Sequence, residues 1–289
     1  MTKQVLTALA RAARALLSHW PAVLVLAALY AALVAACFLF VTTREATAWQ
    51  LLLTALTALA VPVLFFALQA GGTSYAVGET SPGRLLRGAA RTFWKLLIIS
   101  LPVVLVGVLG FYLLNTVERR MSNARRADAG QAAAATDEVI DASAAADEGA
   151  LGETGVETTV REGERKLPPV RWSYVALVTA RLLLFGVFLP LIAIQLWLAA
   201  AREGLPHALV KSWRYAGRAF TPRALLTYAV GMILFGLLPY FLLFTRTPAH
   251  GAGLEIGLFT LRLLLAFALT LGGWLVTLRA LGETEAAPV

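Results

Sequence analysis

Apolar residues along this chain gather into six long runs, roughly 20–42, 49–70, 94–115, 172–200, 223–245 and 256–280. Each is about as long as the ~20 residues that cross bilayer hydrocarbon. Each predicts a helix, because in lipid every backbone donor and acceptor must be satisfied within its own segment. Ahead of the odd-numbered runs lie shorter stretches with helical spacing and a mixed character. In the first, Val5, Leu6, Leu9, Ala13, Leu16 and Leu17 oppose Lys3, Arg11 and Arg14; in the second, Leu85, Leu86, Ala89, Ala90, Phe93 and Leu97 oppose Arg84, Arg87, Arg91 and Lys95. In the third, Leu209, Trp213, Ala216 and Phe220 oppose Lys211, Arg214 and Arg218. Such patterns predict helices lying in the interface plane, with the apolar face among acyl chains and the basic face towards phosphates. Ser81 and Pro82 suit the N-cap and first turn of the second.

The three stretches keep one register. Arg11, Arg14 and Ser18 match Arg84, Arg87 and Arg91, then Lys211, Arg214 and Arg218, and an aromatic follows at a fixed offset as Trp20, Phe93 and Phe220. The steps are 73 and 127 residues, and the extra 54 is about the length of one polar insertion between Asn115 and Arg171. The expected fold is therefore an all-α polytopic membrane bundle, a single domain over 1–289. Its six transmembrane helices form three interfacial-helix-plus-hairpin repeats, about 1–75, 76–203 and 204–289, with a flexible polar loop at 117–170.

Composition agrees. The chain is 59% hydrophobic and 15% charged, with mean hydropathy +0.73, against about 45–50% and about 25% in soluble domains. The net charge of +8 would raise nucleic acid in a soluble protein. Here the cations flank apolar runs, so the expected partner is the phospholipid bilayer, anionic lipids above all, and not nucleic acid. No protein partner is indicated. The one cysteine, Cys37, permits no disulfide framework. Val34-Ala35-Ala36-Cys37 resembles a lipoprotein cleavage box, but the apolar run continues through Phe38-Leu39-Phe40-Val41, so a plain first span is expected. Trp20, Trp49, Trp94 and Trp172 open four spans, at the depth an indole prefers. Arg outnumbers Lys 21 to 4, a usage associated with GC-rich bacteria.

Basic residues in short loops set orientation. With an inside N-terminus the inner segments hold 13 of them and the two short outer loops one each, Arg44 and Arg246. The insert holds 8 beside 11 acids. The expectation is the bacterial inner membrane, multi-pass, with both termini cytoplasmic. The insert has no aromatic residue to bury, so beyond Glu118–Arg126, which can prolong the third helix, it is expected to stay unfolded.

Arg181 and Arg262 are the charges well within spans, each two to three turns from an outer end, where snorkelling or a head-group site would suit them. Pro62, Pro102, Pro190 and Pro239 stand inside spans and predict kinks. No Asp or Glu lies mid-span, and His19, His207 and His250 sit near the ends or in loops. The sequence has no HExxH, Walker or GxSxG pattern. No catalytic, metal or cofactor site is therefore expected. The lipid head-group contacts are expected at Arg11, Arg14, Arg84, Arg87, Arg91, Lys211, Arg214 and Arg218.

The pattern of interfacial helix plus hairpin, and the stretch from Gly78-Glu79-Thr80 through Ser81-Pro82 to Phe93-Trp94, resemble a group of poorly characterised bacterial six-span membrane proteins. The group includes the membrane domain fused to some glycerophosphodiester phosphodiesterases. The phosphodiesterase catalytic domain is absent from this chain, so the resemblance implies a fold and no catalytic residues. The expected function is a non-enzymatic lipid-handling or membrane-scaffold component; the alternative is a small-solute transporter or exporter.

Overall fold

A computed structural model describes residues 2–43, 47–147, 172–245 and 252–286. All regular elements among them are helical: α1 (Thr2–Ser18), α2 (Trp20–Thr42), α3 (Ala48–Val77), α4 (Pro82–Asp147), α5 (Trp172–Leu183), a π-helical turn Leu184–Phe188, α6 (Leu189–Glu203), α7 (Leu205–Val210), α8 (Ser212–Ala219), α9 (Pro222–Met232), a second π turn Ile233–Leu237, α10 (Leu238–Phe244) and α11 (Ala252–Ala286). Six helical stretches are long and apolar enough to span a membrane: Trp20–Thr42, Ala48–Val77, Pro82–Asn123, Tyr174–Glu203, Pro222–Phe244 and Gly253–Glu283. Only 11% of the most apolar window is buried in the first, second and last. That surface needs lipid as its solvent, and the chain is a multi-pass membrane protein of all-α class.

Local chemistry places the breaks. The residue before a proline resists helical backbone, and extended Thr221 before Pro222 separates α8 from α9; the α1–α2 break falls at His19, with Pro21 in the first turn of α2. Thr221 Oγ1 accepts from the Ala224 amide at the start of α9, and Thr47 Oγ1 from Gln50 at the start of α3. Gly78, at φ +116°, closes α3 with its N–H on the Ser74 and Tyr75 carbonyls, a left-handed cap that suits glycine. Ser81 Oγ accepts from Arg84 Nε at the start of α4.

Two elements differ from the sequence reading. The second basic stretch is not a separate helix: α4 runs from Pro82 through Arg84, Arg87, Arg91 and Lys95 straight into the third span. No proline stands after Phe93, where the other two stretches have Pro21 and Pro222. Second, α4 continues to Asp147, well past Arg126 and into the segment expected as a loop. Its alanines, from Ala127 to Ala146, are the strongest helix formers. The remainder of the expected 117–170 loop, from residue 148, lies outside the described residues, as do Arg44, Arg246 and His250.

By contact density the chain forms two units, Met1–Leu105 with Phe185–Val289, and Val106–Leu184. In the smaller one, α4 approaches the residue that follows α5 at Gly110, where a Cβ would stand 2.8 Å from Leu184 Cδ2. The larger unit carries the core, and its buried residues cluster at one end, which we call the basic end. There the last turns of α3 (Leu68–Ala76), the inner stretch of α6 (Leu191–Ala200) and that of α11 (Leu271–Leu281) pack on one another. Trp274 Nε1 donates to Gln69 Oε1 at 3.1 Å, Trp197 Nε1 to Ser100 Oγ at 2.8 Å and Arg202 Nη2 to the Gly282 carbonyl at 2.7 Å. In a membrane, close helix approach and such bonds replace the hydrophobic drive between helices.

Each basic stretch docks on one of these three helices. Val5, Ala8, Leu9 and Ala12 of α1 lie against Val276 and Ala280 of α11, with Leu226 and Val230 of α9 alongside. Leu85 packs with Leu68 and Tyr75 of α3, and Gly88 sits so near Ser74 that a Cβ would meet its Oγ at 3.2 Å. Ala208, Tyr215 and Ala219 of α7 and α8 join the cluster built on α6. The apolar stripes expected among acyl chains are thus divided. Their small or inward members are buried in protein, while Leu6, Leu17 and Trp20, Leu86 and Trp94, and Val210, Trp213 and Phe220 remain exposed. Small side chains allow the close approach; Val5, Leu9, Leu85 and Tyr215 are buried beside them, and the residues on the outer arc stay exposed.

Proline sites inside the spans differ too. Pro62 and Pro102 sit in uninterrupted helices. Pro190 and Pro239 each follow a π turn that contains a glycine, Gly186 or Gly236. Pro190 has no N–H to give the Gly186 carbonyl; the Tyr228 hydroxyl donates to it instead, at 2.9 Å.

Candidate functional site

All eight cations expected to meet head groups are exposed: Arg11 and Arg14 on α1, Arg84, Arg87 and Arg91 on α4, Lys211 between α7 and α8, and Arg214 and Arg218 on α8. They share the basic end with the exposed Trp20, Trp94 and Trp213. Because the opposite side of each stretch is held by the core, these helices cannot turn their cations away. Exposed indoles beside cations are the arrangement of an interface belt.

An acid closes each hairpin at this end. Glu79 Oε2 lies 3.9 Å from Arg84 Nε, and Glu283 Oε2 lies 3.3 Å from Arg11 Nη1. The Tyr215 hydroxyl donates to Glu203 Oε2. Each acid thus reaches the basic stretch that docks on its own helix, and Glu283 connects the end of the chain to its beginning. The exposed pairs contribute little energy; they register one element against another. Glu283 also sits 3.7 Å from Arg279 Nε, whose guanidinium stacks over the Tyr75 ring.

One groove stands out at this end. It lies where α1, α9 and α11 meet, has a volume of about 380 Å³, and is lined by Lys3, Gln4, Thr7, Ala8, Arg11, Arg223 and Glu283. Arg223 Nε is buried there without a hydrogen-bond partner. A second groove, about 460 Å³, follows the other side of α1 past Leu6, Thr7, Ala10, Arg11 and Arg14. In the sequence Arg223 is one of the 13 inner basic residues and Glu283 has no assigned role. The signals were present: by the spacing of the three stretches Arg223 stands where the others have Val23 and Leu96, and Ala280-Leu281-Gly282-Glu283-Thr284 echoes Ala76-Val77-Gly78-Glu79-Thr80.

The two intramembrane arginines lie apart from these grooves' linings. Arg181 Nη1 is 3.7 Å from Glu118 Oε2 and its guanidinium lies over the Phe111 ring. Arg262 Nη1 donates to the Thr245 carbonyl at 2.6 Å. Among the described residues no three His, Cys, Asp or Glu side chains come together as a metal site would require. No family model, no curated protein and no solved structure matches this chain.

Proposed function

We propose that this multi-pass protein is a non-enzymatic component of a bacterial inner membrane that gathers anionic phospholipid, with the basic end and both chain termini in the cytoplasm. In this reading the chain is three modules of interfacial stretch plus hairpin, and the cationic faces of the stretches are its working surface. The observation that carries the proposal is the set of eight exposed cations on helices whose other side is locked to the core, with exposed tryptophans alongside. Each cation near an anionic surface is worth about 1 kcal/mol. Even at half that, eight of them favour an anionic leaflet by about 4 kcal/mol. The pattern resemblance to membrane domains fused to glycerophosphodiester phosphodiesterases suits this reading and supplies no catalytic group.

Native mass spectrometry of the protein extracted from mixed-lipid membranes tests the proposal. Phosphatidylglycerol should be retained over phosphatidylethanolamine, and charge-neutralising Arg87→Gln, Arg91→Gln and Arg214→Gln together should erode the preference. Equal retention of both lipids by the unaltered protein would refute it. Reporter fusions at both termini test the orientation.

A transport reading has one observation of its own. Gln195 is 2% exposed and its Oε1 lacks a hydrogen-bond partner in the core, a costly state that a passing solute or water would relieve. Loss of a solute flux in Gln195→Leu, with lipid retention intact, would favour it.

A further inference from the structure

We infer that the groove between α1, α9 and α11 is a discrete site for the phosphate of one anionic phospholipid. The inference rests on the lipid-gathering reading and narrows it from a surface to a single site.

The first argument is charge. Lys3, Arg11 and Arg223 line the groove against one carboxylate, Glu283, which already has Arg11 at 3.3 Å and Arg279 at 3.7 Å. The groove is left cationic, and Gln4 and Thr7 add neutral hydrogen-bonding groups to its wall. A phosphate offers several strong acceptor oxygens and suits guanidinium donors.

The second argument is Arg223 itself. At the matching positions of the other two modules stand Val23 and Leu96, and Leu96 is fully buried. An aliphatic residue there satisfies the packing, so the arginine is not required by the fold. It nevertheless places Nε in a buried position with no acceptor. A buried, unpartnered charged donor is costly, and a phosphate that draws the guanidinium into the groove would supply the missing acceptor. The departure from the repeat coincides with the groove.

The third argument selects lipid over free phosphate. The groove shares Arg11 and Thr7 with the second groove, whose wall includes Leu6, and Leu6 is 53% exposed. Cations and an exposed aliphatic surface on one turn suit a head group whose chains continue into the bilayer.

The full-length protein in nanodiscs of phosphatidylcholine with a few per cent phosphatidylglycerol provides the test. Native mass spectrometry should show one phosphatidylglycerol held more tightly than the rest. Arg223→Leu, which restores the residue type of the other modules and should fold normally, should weaken that one lipid about tenfold. Arg120→Gln, which removes a cation outside the groove, should leave it in place. Lys3→Gln is a second variant at the surface of the groove and should weaken the same lipid. Unchanged retention in both Arg223→Leu and Lys3→Gln, with general anionic preference intact, would overturn the site and spare the broader reading. No anionic preference in the unaltered protein would remove both. In lipid-free detergent, inorganic phosphate should not stabilise the protein; stabilisation by phosphate equal to that by the lipid, lost in Arg223→Leu, would overturn the lipid assignment.

Discussion

Replacing Gly231 with alanine tests how α9 is set against α11. A Cβ there would stand 2.1 Å from Thr277 Oγ1, 2.6 Å from Cγ2 and 2.9 Å from Cβ. Rotating the threonine can move the first two atoms but not the third. It would also break the bond from Thr277 Oγ1 to the Gly273 carbonyl, at 2.6 Å in a fully buried site. The relief must therefore come from the backbone, by roughly 0.7 Å to reach an ordinary carbon contact. Yet a turn away Gly273 holds α11 against the backbone of Leu234 and Phe235, where a Cβ would meet atoms at 3.0 and 3.1 Å. Overpacking costs about 1–3 kcal/mol, and the gain from replacing a helical glycine returns about 0.5–1 kcal/mol. The net is a loss of between about 0 and 2.5 kcal/mol, and we expect about 1 kcal/mol. Gly257→Ala in α11, where nothing lies within 4 Å of the added carbon, should instead gain about 0.5 kcal/mol. Reversible unfolding by sodium dodecyl sulfate in mixed micelles, followed by circular dichroism, reads both. The double variant Gly231→Ala with Thr277→Ala should recover part of the loss, because two of the three contacts disappear. Equal stability of Gly231→Ala and Gly257→Ala, or no coupling to Thr277, would refute the packing argument. The effect should reach function as well: Arg223 lies on α9 about 12 Å along the helix from Gly231, so displacing α9 should also loosen the groove-bound lipid.

Tyr228→Phe should cost about 1–3 kcal/mol in the same assay, because it strands the Gly186 carbonyl that Pro190 leaves without a donor; in a Pro190→Ala background, which restores an N–H, the cost should shrink. Glu283→Gln should change stability by no more than about 1 kcal/mol, since its partner Arg11 is 68% exposed, whereas Ala12→Leu, at a fully buried contact of α1, should cost about 1–3 kcal/mol; the reverse order would mean that the ion pair and not the seam holds α1. A variant retaining Trp213 as its one tryptophan should be quenched most by lipid brominated near the head group, and one retaining Trp197 weakly by any lipid, given that Trp213 is 88% exposed and Trp197 buried.

The spans were legible because their signal is local: about 20 apolar residues in succession have few alternatives in a membrane protein. All six emerge where the apolar runs lie, and the eight cations Arg11, Arg14, Arg84, Arg87, Arg91, Lys211, Arg214 and Arg218 are exposed. Tertiary contact is harder to read. Nothing in the spacing of Val5, Leu6 and Leu9 tells which of them faces protein and which faces lipid, since both surroundings are apolar. The division follows from the arc of α1 that meets α11, with Val5, Ala8, Leu9 and Ala12 on it and Leu6 turned away. Where the sequence did hold an answer, the missed cue was punctuation. Pro21 and Pro222 separate the first and third stretches from their spans, and no proline separates the second. The fusion of Arg84–Lys95 with the third span followed from that difference.

The buried seams change how the cations should bind. A free amphipathic helix must fold as it meets the membrane, and the ordering entropy is charged against every contact it makes. Here α1, the start of α4, and α7 with α8 are already docked, through Ala12, Leu85 and Tyr215 among others. Their cations face outward before any lipid arrives. Lipid preference should then depend on head-group charge and only weakly on acyl packing, because the apolar residues that remain exposed, such as Trp94 and Trp213, are large and already positioned. The same rigidity explains why a single arginine can matter: α9 holds Arg223 at the wall of a groove, with its Nε buried and without a hydrogen-bond partner. A flexible basic tail would spread its preference over any anionic surface, whereas this scaffold can give one position a preference of its own.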